Sequence, residues 1–314
     1  MGHEQKSVST DDQASADAIG AAVAEKQDGA INLGQLTEAG LSLRSVRRRV
    51  RSKRLGMTAA RSVYRLPGSP RTWRQDLWVA VLASPPGALV SHTSAAALYG
   101  LIDPPDPPHV TVGRTASGRK GGLIPHHATV GWPDRCRFGG LPVTRTGRTI
   151  VDCAALLDQE ALNSLVDAAI GRGLATLPRI QAAHERAGPV RGGKLLAEAL
   201  APYAGGVPPQ SVKEAHILRL FRQWGLPAPE CQYVIRDANG RLLARVDFGW
   251  PRWRFGLEYD GDEFHPPRAW KRNDDRQDAI ETVGWRIERA DRFDVRPSAT
   301  RLRLLLTDVL RESA

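Results

Sequence analysis

Three acidic residues near the C-terminal end of the chain have the types and the spacing to act together. Asp247 lies in a strand-like segment, residues 245–250, and Glu258 and Asp260 lie in a second one, residues 255–261. Side chains alternate between the faces of a strand, so Glu258 and Asp260 share one face and the apolar residues beside them take the other. If the two segments pair as a hairpin, the three carboxylates converge at one end of it.

The convergence of these carboxylates favours a bound cation, because close carboxylates repel one another unless protons or a cation lie between them. An all-oxygen set suits a hard divalent ion such as Mg²⁺ or Mn²⁺. Such an ion polarises a phosphoryl oxygen and lowers the pKa of a bound water, which is the chemistry of phosphodiester hydrolysis. The alternative is that each acid is solvated or paired with a nearby arginine, and Arg245, Arg252 and Arg254 lie in the same segment.

The order of residues in this segment resembles the PD-(D/E)XK nuclease superfamily, in the branch of the very-short-patch-repair endonucleases. That pattern is a helix with a Glu, then an Asp, then an acid-x-Lys strand, then a helix and a strand. Asp247 matches the Asp, and Glu258-Tyr259-Asp260 matches the acid-x-Lys element with Asp260 where Lys is usual. Gly261 and His265 follow, as is common in this branch.

The resemblance implies a role for each of these side chains. Three carboxylates would bind Mg²⁺ or Mn²⁺, namely Asp247, Glu258 and Asp260. Because the usual Lys is missing, His265 or a metal-bound water would carry the proton. Lys271 and Arg276, on a predicted helix from Trp270 to about Val283, would stabilise phosphate charge, although charged runs of this kind are usually solvated faces.

Glu214 has two interpretations. It lies three residues after Ser211, which is the spacing of a capping box at a helix start. The nuclease resemblance instead makes it the catalytic Glu that the first helix directs at the metal site. Predicted strands near residues 231–236, 243–248 and 285–289, an Asn239-Gly240 hairpin turn and a closing helix complete a mixed sheet covered by helices.

Nearly all of the net positive charge of the chain lies in one block. The net charge is +10, and in residues 31–80 eleven Lys and Arg residues stand against two Asp and Glu residues. Two helices, a basic helix from Leu43 to about Arg54 and two short strands predict a winged helix-turn-helix that binds DNA. Leu43, Val46 and Val50 form its predicted buried stripe. The predicted DNA contacts are Arg44, Arg47, Arg48 and Arg51 on the helix and Arg61 at the tip of the wing.

The basic block and the region after it resemble the N-terminal part of AbiEi-type antitoxins and related actinobacterial regulators. The resemblance lies in the winged-helix pattern, the Val63-Tyr64 strand and the run from Ser91 to Leu101, where Ser91 is the expected N-cap of a helix. Strands at residues 109–112, 124–130 and 141–144 and a helical run from Arg148 to about Tyr203 are predicted to follow. His92, His126 and His127 suggest a metal site, but adjacent strand residues point to opposite faces, so hydrogen-bonded or surface histidines are expected.

Bulk properties limit the class of protein. Three scattered cysteines fit neither a zinc knuckle nor a disulfide framework, and no apolar run approaches the length of a membrane span. With no secretory signal predicted, a cytoplasmic protein is expected. The expected fold is an α/β multidomain chain with a disordered tail at residues 1–14, a winged helix at 15–72, an α+β connector at 73–206 and a restriction-endonuclease-like, mixed-sheet domain at 207–314.

Two functions fit these features. The first is a DNA endonuclease that depends on a divalent metal ion and is targeted by its winged helix. The second is a DNA-binding transcriptional regulator or antitoxin whose nuclease-like domain does not cut. DNA is the partner under both hypotheses. The sequence leaves open a homodimer and, under the second hypothesis, a partner toxin.

Overall fold

The N-terminal elements form because their ends are capped by side chains. In the computed structural model, which describes residues 10–114, 122–204, 209, 211–259, 279–296 and 298–310, the chain begins with helix α1, Thr10–Glu25, and strand β1, Ala30–Asn32. Asn32 and Gln35 form a capping box at the start of helix α2, Leu33–Glu38. Ser42 caps helix α3, Leu43–Arg51, by accepting from the Ser45 N–H at 3.2 Å.

Two short strands complete this block, β2, Gly56–Met57, and β3, Val63–Arg65. The three strands form an antiparallel sheet in the order β1-β3-β2. The two predicted helices, the basic helix and the hairpin are therefore present, but α1 begins at Thr10, inside the tail at residues 1–14 that was expected to be disordered. Strand β1 was not predicted.

The predicted stripe of α3 is only partly correct. Val46 is fully buried and Val50 packs against the same core, but Leu43 is 47% exposed. Arg49, in contrast, is only 6% exposed, although no buried position was expected for it. The Arg49 guanidinium donates two hydrogen bonds to the Asp17 carboxylate, at 2.7 and 2.8 Å, and so fixes α3 against α1.

A five-stranded sheet follows in the order β6-β5-β4-β8-β7. Its strands are β4, Leu89–Val90; β5, His109–Val112; β6, Ile124–His127; β7, Arg135–Phe138; and β8, Leu141–Thr144. Three of them were predicted, whereas β4 and β7 were not. The helices of this region are α4, Trp73–Ala83; α5, His92–Leu98; α6, Thr146–Cys153; α7, Gln159–Gly171; α8, Leu177–Ala187; and α9, Gly193–Leu200.

Helix α4 joins the two sheets into one core. Leu77 and Trp78 pack with Ala30 of the first sheet and with Val143 of the second. The chain divides into two compact units, the first comprising Met1–Leu165 with Leu174–Gly193 and the second Val166–Gly173 with Lys194–Ala314. The predicted winged-helix segment and most of the predicted connector lie in the first unit.

The second unit is built on a four-stranded mixed sheet. Helix α10, Val212–Gln223, precedes strands β9, Glu230–Arg236; β10, Leu242–Trp250; β11, Phe255–Tyr259; and β12, Arg286–Ala290. The order in the sheet is β12-β11-β10-β9, with β11 and β12 parallel and the other pairs antiparallel. Helix α11, Arg301–Val309, ends the described chain.

Both faces of this sheet are covered. On one face Phe248, Trp250 and Leu257 pack with Phe221 of α10 and Leu302 of α11. On the other, Val246 and Ala244 pack with Ile280 from the helical residues 279–282. The whole chain is thus α/β, with more than one sheet. None of the helices in the described ranges is both long and apolar enough to cross a bilayer.

Candidate functional site

The candidate carboxylate site is positioned by the pairing of β10 with β11. Their register sets Phe248 against Leu257 and Trp250 against Phe255, and a short 3-10 turn, Pro251–Trp253, joins them. The predicted hairpin is therefore present. Phe255 and Leu257 are buried and Tyr259 packs against the same core, as the alternation of faces predicted.

Asp247 lies just beyond the last paired residues of this hairpin. The residues on either side of it, Val246 and Phe248, pack in the two apolar clusters on opposite faces of the sheet. One Asp247 oxygen accepts from the Tyr259 backbone N–H at 2.9 Å, and the other accepts from Gln232 Nε2 at 3.2 Å. The Asp247 carboxylate is thus fixed against β11 at the residue that follows Glu258, and the two donors supplied by the described residues are neutral.

Glu258 has a cationic neighbour that the sequence did not suggest. It lies opposite Arg289 in the parallel register of β11 and β12, and Arg289 Nε is 3.6 Å from its carboxylate. The Arg289 side chain is half exposed, so solvent screens this pair and it contributes less than about 1 kcal/mol. Of the arginines expected to compete for these acids, Arg245 donates to Gln232 Oε1 at 2.7 Å.

Glu214, at the start of α10, combines features of both of its interpretations. Its backbone N–H donates to Ser211 Oγ at 3.1 Å, and Ser211 Oγ donates to its carboxylate at 3.3 Å, so it takes part in the helix cap. Its side chain is also buried, at 8% exposure. Burial, followed by the charges of Glu214 and Asp247, raises the pKa of the Cys231 thiol to about 11. Glu214 and Asp247 therefore both lie near this thiol.

The described carboxylates do not by themselves form a metal site. Among the residues that the structure describes, no group of three or more His, Cys, Asp and Glu side chains is close enough to hold an ion. The remaining residues assigned to this site from the sequence lie outside the described residues, namely Asp260, His265, Lys271 and Arg276. Gln232 and Arg289 were not anticipated, because their contacts depend on strand register and have no local sequence signal.

The arginines of α3 form the candidate DNA-binding surface. Arg44, Arg47 and Arg51 are exposed and recur at helical spacing on one face. Arg48 is exposed beside them, and Arg61 is exposed in the turn between β2 and β3. Since α3 contains no acidic residue, this face is uniformly positive.

Comparison with known proteins supplies a family. No family model matches the chain. Two Mycobacterium tuberculosis proteins, uncharacterized protein Rv2248 (strain ATCC 25618 / H37Rv) and uncharacterized protein MT2308 (strain CDC 1551 / Oshkosh), are each 30% identical to it over 221 residues. In both cases the match covers 67% of this chain and 76% of the relative. The chain belongs to the family of these mycobacterial proteins. Neither name states an activity, so membership of the Rv2248 family carries no function.

In this member of the Rv2248 family, three histidines of the first unit form a cluster that the sequence only partly suggested. The His92 and His126 rings stack with centroids 3.5 Å apart, and His109 Nδ1 lies 2.8 Å from His126 Nε2. His127 is exposed, as expected from strand alternation. Ser91 occupies the N-cap position of α5 but makes no side-chain cap, because its hydroxyl pairs with His92 Nδ1 at 2.9 Å. The cluster is thus a hydrogen-bonded core feature.

The pKa values of the histidine cluster predict that the folded chain loses stability in acid. Burial, with smaller contributions from neighbouring charges, lowers the pKa of His92 to about 2 and that of His126 to about 4. The unfolded chain therefore takes up protons below pH ~6.5 while the folded chain does not, so the free energy of unfolding falls as the pH decreases. Between pH 7 and pH 5 we expect His92 alone to remove about 2 kcal/mol.

Denaturant titrations at several pH values measure this effect. His92→Asn keeps a residue that tolerates the positive φ of 51° at this position and should flatten the dependence below pH ~6.5. His127→Asn changes an exposed histidine next to His126 and should retain the pH dependence. Equal pH profiles for the two variants would contradict the role given to the buried ring.

Proposed function

We propose that the chain is a DNA-binding endonuclease that uses a divalent metal ion in its second unit. The observation that carries the proposal is the hydrogen bond from the Tyr259 N–H to the Asp247 carboxylate, which places this acid beside the strand position of Glu258. Acids on adjoining strands can hold a divalent ion, and the water bound to such an ion can hydrolyse a phosphodiester.

The order of elements supports the same proposal. In the second unit a helix with Glu214 precedes a strand with Asp247, a strand with Glu258, the helical residues 279–282 and the parallel strand β12. This is the order in the PD-(D/E)XK pattern. In the first unit, α1 to β3 with the sheet order β1-β3-β2 follow the order of a winged helix-turn-helix.

The donor set of the second unit fits a hard cation. Among the described residues, neutral groups donate one hydrogen bond to each Asp247 oxygen and so orient the carboxylate. Asp247 and Glu258, with Asp260, would hold Mg²⁺ or Mn²⁺. A bound ion of this kind supplies charge stabilisation for the phosphate and a lower pKa for water. His265 would move the proton, and Lys271 and Arg276 would contact phosphate.

The first unit would bring DNA to this chemistry. Helix α3 would enter the major groove with Arg44, Arg47, Arg48 and Arg51 toward phosphates and base edges, and Arg61 would lie against the backbone from the wing. Arg49 is not part of this surface, because it is buried against Asp17.

A second candidate function is a DNA-binding regulator or antitoxin that does not cut DNA. The specific observation in its favour is the Arg289 guanidinium beside Glu258, together with Asp260 at the usual Lys position. Under this alternative the second unit would serve recognition, and a toxin would be its partner.

Incubation with supercoiled plasmid separates the two functions. The full chain with Mg²⁺ or Mn²⁺ should convert the plasmid to nicked or linear forms, and EDTA should stop the reaction. Binding of duplex DNA without cleavage of any DNA form under either metal would favour the regulator.

A further inference from the structure

A cavity of about 590 Å³ in the first unit has a strongly basic wall. It lies between the first turn of α6, helix α8 and strand β7. Five arginines line it, against one aspartate, Asp134; they are Arg137, Arg145, Arg148, Arg179 and Arg186. These residues belong neither to the DNA-binding face of α3 nor to the carboxylate site.

The acids near the cavity neutralise only part of this charge. Asp134 forms an ion pair with Arg186, and Arg186 Nε lies 3.1 Å from each Asp134 carboxylate oxygen. Arg148, only 5% exposed, uses its Nε for Asp152 at 2.7 Å. Burial raises the pKa of Asp152 to about 6, so this carboxyl is mostly ionised at neutral pH and is paired with Arg148. Within the described ranges, Arg145 and Arg179 have no carboxylate at salt-bridge distance.

The first turn of α6 adds backbone donors to the same wall. Arg145 is the N-cap residue and gives no side-chain cap, and the first helical hydrogen bond runs from the Thr149 N–H to the Arg145 carbonyl at 2.8 Å. In the described part of the chain, the N–H groups of Thr146, Gly147 and Arg148 have no acceptor. Helix N-termini with free N–H groups favour anions, and the eight residues of α6 also contribute their dipole.

Gly147 explains how α8 joins this site. A Cβ at this position would lie 2.9 Å from the Arg179 carbonyl oxygen, so only glycine allows α8 to approach so closely. The close approach brings Arg179 to the first turn of α6.

We propose that this cavity binds a phosphate group through the first-turn N–H groups of α6 and the guanidinium groups of Arg145, Arg148 and Arg179. Donors from the backbone and from three arginines exceed what one carboxylate can accept, whereas a phosphate has enough oxygens. The volume exceeds that of a phosphate ion and is in the range of small-molecule sites, so an ester group fits beside it. Two sources share this chemistry, a free phosphate compound such as a nucleotide and a phosphate of the DNA backbone.

Calorimetric titration of the full chain with inorganic phosphate and with AMP tests the site. Arg145→Ala/Arg179→Ala removes two exposed side chains, so its thermal unfolding should match that of the wild type. We expect its affinity for the probes to fall at least about tenfold. Arg114→Ala/Arg191→Ala removes the same charge from exposed positions of the first unit outside the cavity and should leave affinity unchanged. Arg145→Lys/Arg179→Lys should retain part of the affinity that the alanine variant of the cavity loses.

Duplex DNA as a third probe distinguishes the sources. If the ligand is free phosphate, the cavity variant loses phosphate and AMP binding while its affinity for DNA equals that of the control. If the ligand is a backbone phosphate, the cavity variant binds DNA more weakly and with a shallower salt dependence than the control. A cavity variant that matches the control with all three probes would overturn the proposal. The outcome is independent of cleavage, so the site stands or fails separately from the endonuclease.

Discussion

Asp247→Asn should abolish cleavage of supercoiled plasmid while leaving DNA binding intact. We expect the rate of metal-dependent nicking to fall at least about a hundredfold, because a charged ligand that holds the ion at the reacting phosphate is replaced by a neutral amide. The substitution preserves shape, and its amide oxygen can still accept from the Tyr259 N–H that now binds the carboxylate. The rate of plasmid conversion with Mg²⁺ or Mn²⁺, measured beside a duplex-binding titration, gives both quantities.

Asp308→Asn is the matched control for this variant. Asp308 is exposed on α11 in the same unit, so the substitution removes the same charge at a position with no assigned role. The control should cut at the wild-type rate. If Asp247→Asn also cuts at the wild-type rate, the carboxylate between β10 and β11 is not part of the catalytic site. A wild-type chain that binds duplex and never cuts leaves only the regulator.

The sequence was sufficient where local signals determine the structure. Ser211 lies three residues before Glu214, the spacing from which a helix cap was predicted, and its hydroxyl accepts from the Glu214 N–H. The strands at His109–Val112 and Leu141–Thr144 are bounded by turn residues and were predicted at the same positions. In such segments propensity and capping agree with the tertiary structure.

Long-range contacts account for what the sequence did not reveal. Arg49 is buried because Asp17, thirty-two residues away, is within hydrogen-bond reach, and periodicity alone assigns a core position to Leu43 instead. The contact of His109 with His126 spans seventeen residues and depends on the pairing of β5 with β6. The hairpin of β10 and β11 was predicted, but the hydrogen bond between Asp247 and the Tyr259 N–H depends on its exact register.

The difference between local signals and long-range contacts also explains why the basic cavity was not anticipated. Its arginines come from β7, the start of α6 and α8, and only the fold brings them to one wall. These arginines are spread over residues 137–186 of the sequence, and no local pattern links all of them. Arg148 pairs with Asp152 within α6, and the remaining donors of the wall become evident only in three dimensions.

Removing three arginines from α3 should strongly reduce the affinity of the chain for DNA. In Arg44→Ala/Arg47→Ala/Arg51→Ala the three exposed charges on one helical face are lost, and we expect duplex affinity at moderate salt to fall by about a hundredfold or more. Each phosphate contact contributes about 0.9 to the slope of log affinity against log salt, so the slope should become shallower by about 2 to 3. Titrations of a fluorescent duplex at several chloride concentrations measure both values.

The control for this variant must remove equal charge from the same unit. Arg71→Ala/Arg114→Ala/Arg191→Ala changes three exposed arginines outside α3 and so reproduces the loss of net positive charge. Arg49 is left unchanged because its removal would break the ion pair with Asp17 and weaken the contact between α1 and α3. If the two triple variants have the same salt slope, long-range attraction to the basic chain accounts for binding and α3 does not contact the phosphates. A shallower slope confined to the α3 variant locates the contacts on that helix, because only groups that displace counterions from the DNA change the slope.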